Sequence, residues 1–214
     1  MKFINLHTHK FTNNQNVLEI VNQYPQDFDE KIPFYSIGIH PWYINETRLE
    51  SDLVIIQEKL QLQNCLALGE CGLDKRIEIS MDIQTQVFEK QLSLAIKYKK
   101  PVILHCVSAY QEIIEIKKRL QVQVPMIIHG YSKNEQVAKS LLDNGFYLSF
   151  GKYLLRNPEL ESVFKFVPYD RFFLETDTIE ETLEEVYELA AKYKNIKISE
   201  LQEIVKTNFQ SVFK

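Results

Sequence analysis

Short runs of Val, Ile, Leu and Phe alternate with longer stretches in which apolar side chains recur every three or four positions. The runs cover residues 3–6, 17–21, 34–39, 65–68, 102–104, 126–128, 146–150 and 171–174. Several are nearly continuous, as parallel strands are when helices cover their outer faces. The periodic stretches, 53–62, 83–98, 110–120, 135–143, 182–193 and 201–213, predict amphipathic helices. Gly145 is placed to end the fourth of them. The last opens on Ser199-x-x-Gln202, a capping-box pattern.

Eight strand candidates alternating with helices predict an α/β chain folded as a TIM-type (β/α)8 barrel, one domain over residues 1–214. The first two runs are only about ten residues apart, and a helical crossover takes about a dozen or more. Residues 22–33 contain Pro25 and Pro33 and read as loop. The outer helices nearest the N-terminus are therefore predicted to be missing or vestigial. Residues 17–21 also fit part of a short helix.

Composition narrows the picture. The hydrophobic fraction is 45% and the charged fraction 25%, which predicts a folded core rather than disorder. The formal net charge of -4 excludes a strongly basic nucleic-acid binder. Attraction for a nucleic acid would have to come from a local patch or a bound metal. Cys65, Cys71 and Cys106 match no zinc-finger spacing and predict reduced, buried thiols. The first apolar stretch is too short for a signal peptide, and no run reaches the roughly 18 apolar residues of a membrane span. The expectation is a cytoplasmic monomer with no membrane association and no obligate protein partner.

The candidate chemistry lies where the runs end. All five histidines, His7, His9, His40, His105 and His129, stand at or just past the C-terminal end of an apolar run, and so do Glu70 and Asp177. In a parallel barrel those ends form the catalytic face. A single histidine in that position is most simply a hydrogen-bonded core residue, but seven polar groups from six strands have no structural reason to share one edge. His7 and His9 are two apart, so on a strand they point the same way and can bind one ion. Ser108-x-x-Gln111, Ser132-x-x-Glu135 and Thr178-x-x-Glu181 follow three of these residues and resemble capping boxes. Cys71 and Cys106 follow Glu70 and His105 and should point away from the pocket. Glu175 shares parity with Asp177, which allows either a supporting role or an outward position.

The segments His7-Thr-His9, Gly38-Ile-His-Pro41, Ala67-Leu-Gly-Glu-Cys-Gly-Leu-Asp74, Pro101-Val-Ile-Leu-His105, Ile128-His-Gly-Tyr-Ser132 and Leu174-Glu-Thr-Asp177 resemble the TatD family of metal-dependent hydrolases, as a short variant. Asn208-Phe-Gln-Ser-Val-Phe213 is similar to the family's closing helix. The resemblance implies two divalent ions and, in many members, deoxyribonuclease activity. It assigns His7 and His9 to the first ion, Glu70 to both, and His105 and His129 to the second. It makes Asp177 a ligand of the first ion and the group that handles the water proton, and sets His40 beside the substrate. The chain departs from the pattern at Val107, where the family usually has arginine, at Lys75, and at Thr178-Ile-Glu-Glu181.

Two ions about 3.5–4 Å apart would activate a water for phosphodiester hydrolysis. DNA is then the expected substrate. The same centre could hydrolyse a small amide, ester or phosphoester, and a non-catalytic metal-binding protein is a third class. Imidazole ligands suit Zn, Ni or Co, and the carboxylates also admit Mn or Mg.

Overall fold

The computed structural model describes residues 2–213. Eight parallel strands make one sheet in chain order: β1 (Phe3–Thr8), β2 (Val17–Gln23), β3 (Tyr35–Ile37), β4 (Cys65–Asp74), β5 (Val102–Val107), β6 (Met126–Ile128), β7 (Tyr147–Phe150) and β8 (Phe172–Leu174). The helices are α1 (Leu49–Lys59), α2 (Met81–Tyr98), α3 (Tyr110–Arg119), α4 (Glu135–Asp143), α5 (Lys152–Arg156), α6 (Leu160–Phe166), α7 (Leu183–Lys194) and α8 (Ile198–Val212). Order and alternation are those of a TIM-type (β/α)8 barrel.

The expected irregularity is present. No helix joins β1 to β2 among the described residues, and only a 3₁₀ turn, Pro25–Asp27, lies between β2 and β3. Residues 17–21 are strand: Phe3 pairs with Val17 and Ile4 with Leu18, in parallel. β4 continues six residues past the expected run and so carries Glu70 within the strand.

Two short helices, α5 and α6, were not expected. They have 5 and 7 residues and are separated by Asn157-Pro158-Glu159. Helices this short show too little periodicity to be read from pattern alone.

None of the four expected capping boxes forms. Ser108 has φ +56°, and α3 follows Ala109 with no side-chain cap. Asn134 caps α4 in place of Ser132. The box that opens α7 is Thr182 with Glu185, beyond Thr178. α8 follows Lys197, which leaves Ser199 inside the helix. The S/T-x-x-E/Q pattern recurs freely in polar loops. Packing of the first apolar turn, here buried Leu183, decides which copy is used.

Contacts divide the chain into two compact units. One runs to Val21 and resumes at Ile128; the other is Asn22–Ile127. The core of the first is aromatic. Phe150, Phe164 and Phe172 are fully buried, with ring centroids 5.0 and 4.9 Å apart in succession. Each such side chain contributes roughly 1.5–3 kcal/mol by leaving water. In the second unit, α2 turns two glutamines inward at i and i+7. Gln84 and Gln91 are each 1% exposed, and the amide of each is hydrogen-bonded to strand-end backbone.

Buried Tyr187 on α7 is tied to β1: its hydroxyl donates to the Ile4 carbonyl (3.0 Å) and accepts from the Ile4 N–H (3.2 Å). Burial pushes its phenol well above the ordinary value. Unfolded phenols titrate near pH 10. Above that pH the folded chain holds a proton that the unfolded chain has lost, so this stabilisation is complete below about pH 10 and falls as pH rises further. Tyr187→Phe should cost roughly 1–3 kcal/mol at pH 7, because two buried backbone groups lose their partner. The deficit should shrink above pH 10. Denaturant melts of both proteins at pH 7, 9 and 11 check this; a deficit constant with pH would refute it.

Candidate metal centre

In the first unit β1 and the segment after β8 are pinned together. The Asp177 N–H donates to the His7 carbonyl (2.9 Å), and the His9 N–H donates to the Asp177 carbonyl (3.2 Å). One residue earlier, the Asn5 side chain donates to Thr176 Oγ1 (2.8 Å) and accepts from the Thr176 N–H (3.0 Å). Asp177 holds φ +55°, a conformation that aspartate and asparagine tolerate better than other non-glycine residues. This backbone clamp aims three side chains at one point. Asp177 Oδ1 lies 3.4 Å from His9 Nε2 and 3.8 Å from His7 Nε2.

His129 joins them. One donor atom each from His7, His129 and Asp177 lies within 4.8 Å of the others, and the His7 and His129 rings are 4.4 Å apart. The resemblance groups His129 with His105; the structure sets its donor beside His7 and Asp177. Glu175, left open by parity, is fully buried. Its Oε1 accepts from the Gly130 N–H (2.7 Å) and lies 3.3 Å from His129 Nδ1. It thereby orients the ring and leaves Nε2 as the donor for a ligand.

The second unit holds its own group, His40, Glu70 and His105, again with one donor atom each within 4.8 Å. Glu70 is 3% exposed; its N–H donates to Asn22 Oδ1 (2.7 Å), and its Oε1 lies 2.8 Å from His105 Nδ1 and 3.2 Å from His40 Nε2. His40 Nδ1 accepts from the Trp42 N–H (3.1 Å), so a neutral His40 carries its proton on Nε2 and donates it to Glu70. That tautomer makes His40 a hydrogen-bonding residue toward Glu70 or substrate rather than an ion ligand. Gln91 bonds both backbone groups of Ile39 and fixes the strand end that carries His40.

Asp74 belongs to this group and was not singled out in the sequence. The signal was there: it shares strand parity with Glu70. Its Oδ2 accepts from Trp42 Nε1 (2.8 Å) and lies 3.4 Å from His105 Nε2. Burial works against its charge, but hydrogen bonds from Trp42, the Arg76 N–H and His105 outweigh that and hold its pKa below the ordinary carboxylate value.

Glycines on either side of Glu70 let β4 approach β5. A Cβ on Gly69 would stand 2.3 Å from the Ile103 carbonyl oxygen, and one on Gly72 would stand 2.2 Å from that of His105. The three cysteines are buried and unbridged, as expected.

The donor chemistry fits divalent cations. Two ligand atoms at 2.0–2.1 Å from a tetrahedral ion lie about 3.3 Å apart, close to the His9–Asp177 spacing of 3.4 Å. Mixed imidazole and carboxylate donors, some buried and some open to solvent, are the set such ions take.

Known proteins place this arrangement. The family model described as TatD related DNase matches residues 1–214. A Haemophilus influenzae protein named as an uncharacterized metal-dependent hydrolase is 32% identical over 154 residues, covering 67% of this chain and 58% of its own. A 3'-5' ssDNA/RNA exonuclease TatD of Erwinia tasmaniensis is 28% identical over 168 residues, covering 76% and 62%. The chain thus spans a little over half the length of the curated relatives it matches. A solved TatD homologue from Escherichia coli K12, YJJV, superposes with a TM-score of 0.84 over 99% of this chain and 97% of its own, at 21% identity. Among the described residues no helix is long and apolar enough to cross a membrane. The match along the whole chain, together with imidazole and carboxylate groups drawn together at its strand ends, makes this chain a member of the TatD family of metal-dependent hydrolases.

Proposed function

We propose that the chain is a phosphodiesterase acting on DNA, working as one hydrolase domain with two divalent ions. The observation that carries this is the pair of donor groups, each with a histidine and a carboxylate at ion-binding spacing. The exonuclease name of the Erwinia relative supports the substrate class. In this reading His7, His9, His129 and Asp177 hold one ion, and Glu70 and His105 the other. When bound, such ions lower the pKa of a water and stabilise the attacking and leaving oxygens of an in-line displacement.

The chain's own groups do the rest. The Asp177 carboxylate takes the proton of the attacking water on an oxygen not engaged with the ion. Glu175 keeps His129 in the correct ring orientation, and His40 keeps Glu70 in place. Asp74 accepts from Trp42 and steadies His105. The test is hydrolysis of single-stranded DNA, duplex DNA and small phosphoesters by metal-reconstituted protein. Cleavage of small esters with no cleavage of either DNA would overturn the DNA assignment.

One observation favours a second reading, a hydrolase of a small amide, ester or phosphoester. A cleft of about 500 Å³ in the segment that follows Asp177 is lined by Lys152, Arg156, Thr178, Ile179, Glu180, Glu181 and Glu185. Arg156 is committed to Glu181 at 2.9 and 3.2 Å. Three carboxylates against two cations repel an extended polyanion there, whereas a small substrate would be unaffected.

Removing ligands tests the metal assignment. His7→Ala combined with His9→Ala should lower bound zinc from about two equivalents per chain to about one, and so should His105→Ala. Elemental analysis of dialysed proteins reads the loss directly. Unchanged zinc in both variants would refute the ligand sets.

A further inference from the structure

Trp42 is the single tryptophan of the chain and, at 56%, its most exposed aromatic residue near the candidate site. An exposed indole normally has freedom to move. This one does not. It sits in a 3₁₀ turn, Pro41–Tyr43, begun by Pro41 and capped by His40 Nδ1 on the Trp42 N–H. Its Nε1 is tied to Asp74, which is 2% exposed and also contacts His105. The ring stands edge-on to His40 (centroids 5.1 Å, 85°) and to His105 (5.9 Å, 73°). Tyr43, 46% exposed, lies 5.6 Å from His40 and extends the same aromatic rim.

A large apolar face held rigid, open to solvent and braced from beneath by a buried carboxylate is organised for a planar partner. Stacking on such a face costs little ordering, because the ring has no conformations to lose. The exposed Arg76 follows two residues after Asp74, with its N–H on the Asp74 carboxylate, so a cation available to a backbone phosphate stands just past the strand that carries Asp74.

We propose that Trp42 is the substrate platform of this centre: it stacks an unpaired nucleobase of a single-stranded nucleic acid and so presents the neighbouring phosphodiester to the His40–Glu70–His105 group. This rests on the phosphodiesterase reading and adds what that reading lacks, a residue that selects a base-bearing, unpaired strand. Neither periodicity nor ligand spacing points to Trp42; its juxtaposition with His40, Asp74 and His105 does.

The test uses zinc-loaded protein and two probes: a phosphorothioate-linked single-stranded oligodeoxynucleotide, and an abasic oligomer of equal length and linkage. Tryptophan fluorescence reports Trp42 alone. The base-bearing oligomer should quench it and the abasic oligomer should not. By anisotropy, Trp42→Ala should weaken binding of the base-bearing oligomer roughly five- to a hundredfold, the range of base–aromatic stacking. It should leave the abasic oligomer where it was. Trp42→Phe keeps an aromatic face but loses the N–H to Asp74, and should recover most of the affinity lost in Trp42→Ala. Equal quenching by both probes, no quenching, or a loss in Trp42→Ala that is the same for both would overturn the platform. Cleavage of the natural-linkage oligomer by the same protein separates the two inferences. Cleavage without base-dependent quenching removes the platform and leaves the phosphodiesterase. Neither binding nor cleavage removes both.

Discussion

Asp177→Asn should lower turnover by roughly 10²–10⁴-fold, the usual contribution of a positioned general base, with little change in stability. Asparagine keeps the size and one ligating oxygen but cannot readily take a proton from water. The fold should tolerate it for two structural reasons. The clamp to β1 uses only the backbone N–H and carbonyl of residue 177, and asparagine accepts φ +55° at least as well as aspartate. Nor does the carboxylate cap a helix: α7 begins at Leu183 behind the Thr182–Glu185 box. Stability should therefore stay within about 0.5 kcal/mol, as for substitutions away from buried networks. The measurement is turnover at confirmed full zinc occupancy, on whichever substrate the hydrolysis screen identifies. Turnover near that of the wild type would exclude Asp177 as the base.

The largest effect on stability is expected for Gly72→Ala. Gly72 pairs with His105 across β4 and β5 and holds φ +142°. A side chain at that φ is strained by about 1–3 kcal/mol. The new Cβ would also stand 2.2 Å from the His105 carbonyl oxygen, a backbone atom that cannot swing aside. Relieving that contact means opening the ladder, a further cost of about 1–3 kcal/mol. The sum, roughly 2–6 kcal/mol, is a large part of the 5–15 kcal/mol that holds a typical domain together. Displacement of the His105 backbone should also reduce zinc binding. Gly130→Ala is the control. Gly130 has φ +56°, and its nearest contact, Glu175 Oε1, is at 3.8 Å, so only the conformational cost of about 1–2 kcal/mol applies. A Gly72→Ala midpoint no lower than that of Gly130→Ala would show that the close approach is not restrictive.

Much of this was written along the chain. The alternation of apolar runs and amphipathic stretches predicted the barrel, and ten residues between the first two runs predicted the missing helix. Both are local properties, because a strand buried on two faces must be apolar throughout, and a helix must repeat near 3.6 residues. The placement of His7, His9, His105, His129 and Asp177 at or near strand ends was legible for the same reason: the end of an apolar run marks the approach to the end of a strand. Glu70 stands inside β4, which runs on to Asp74.

What local pattern could not carry is which polar groups meet. Asn5 reaches Thr176, Gln91 reaches Ile39, and Glu175 reaches His129, over sequence separations of 171, 52 and 46 residues. A glutamine or glutamate reads as surface until a buried partner satisfies it, and that partner is defined only in space. The same holds for the caps: the sequence offered several S/T-x-x-E/Q patterns, and packing around Leu183 chose one that had not been picked out. The sequence by itself determined the fold class and the residues available for metal chemistry. The tertiary structure decided that His129 stands beside His7 and Asp177, and that Asp74 and Trp42 stand against His105, because those neighbours are set by strand register and backbone clamps rather than by spacing along the chain.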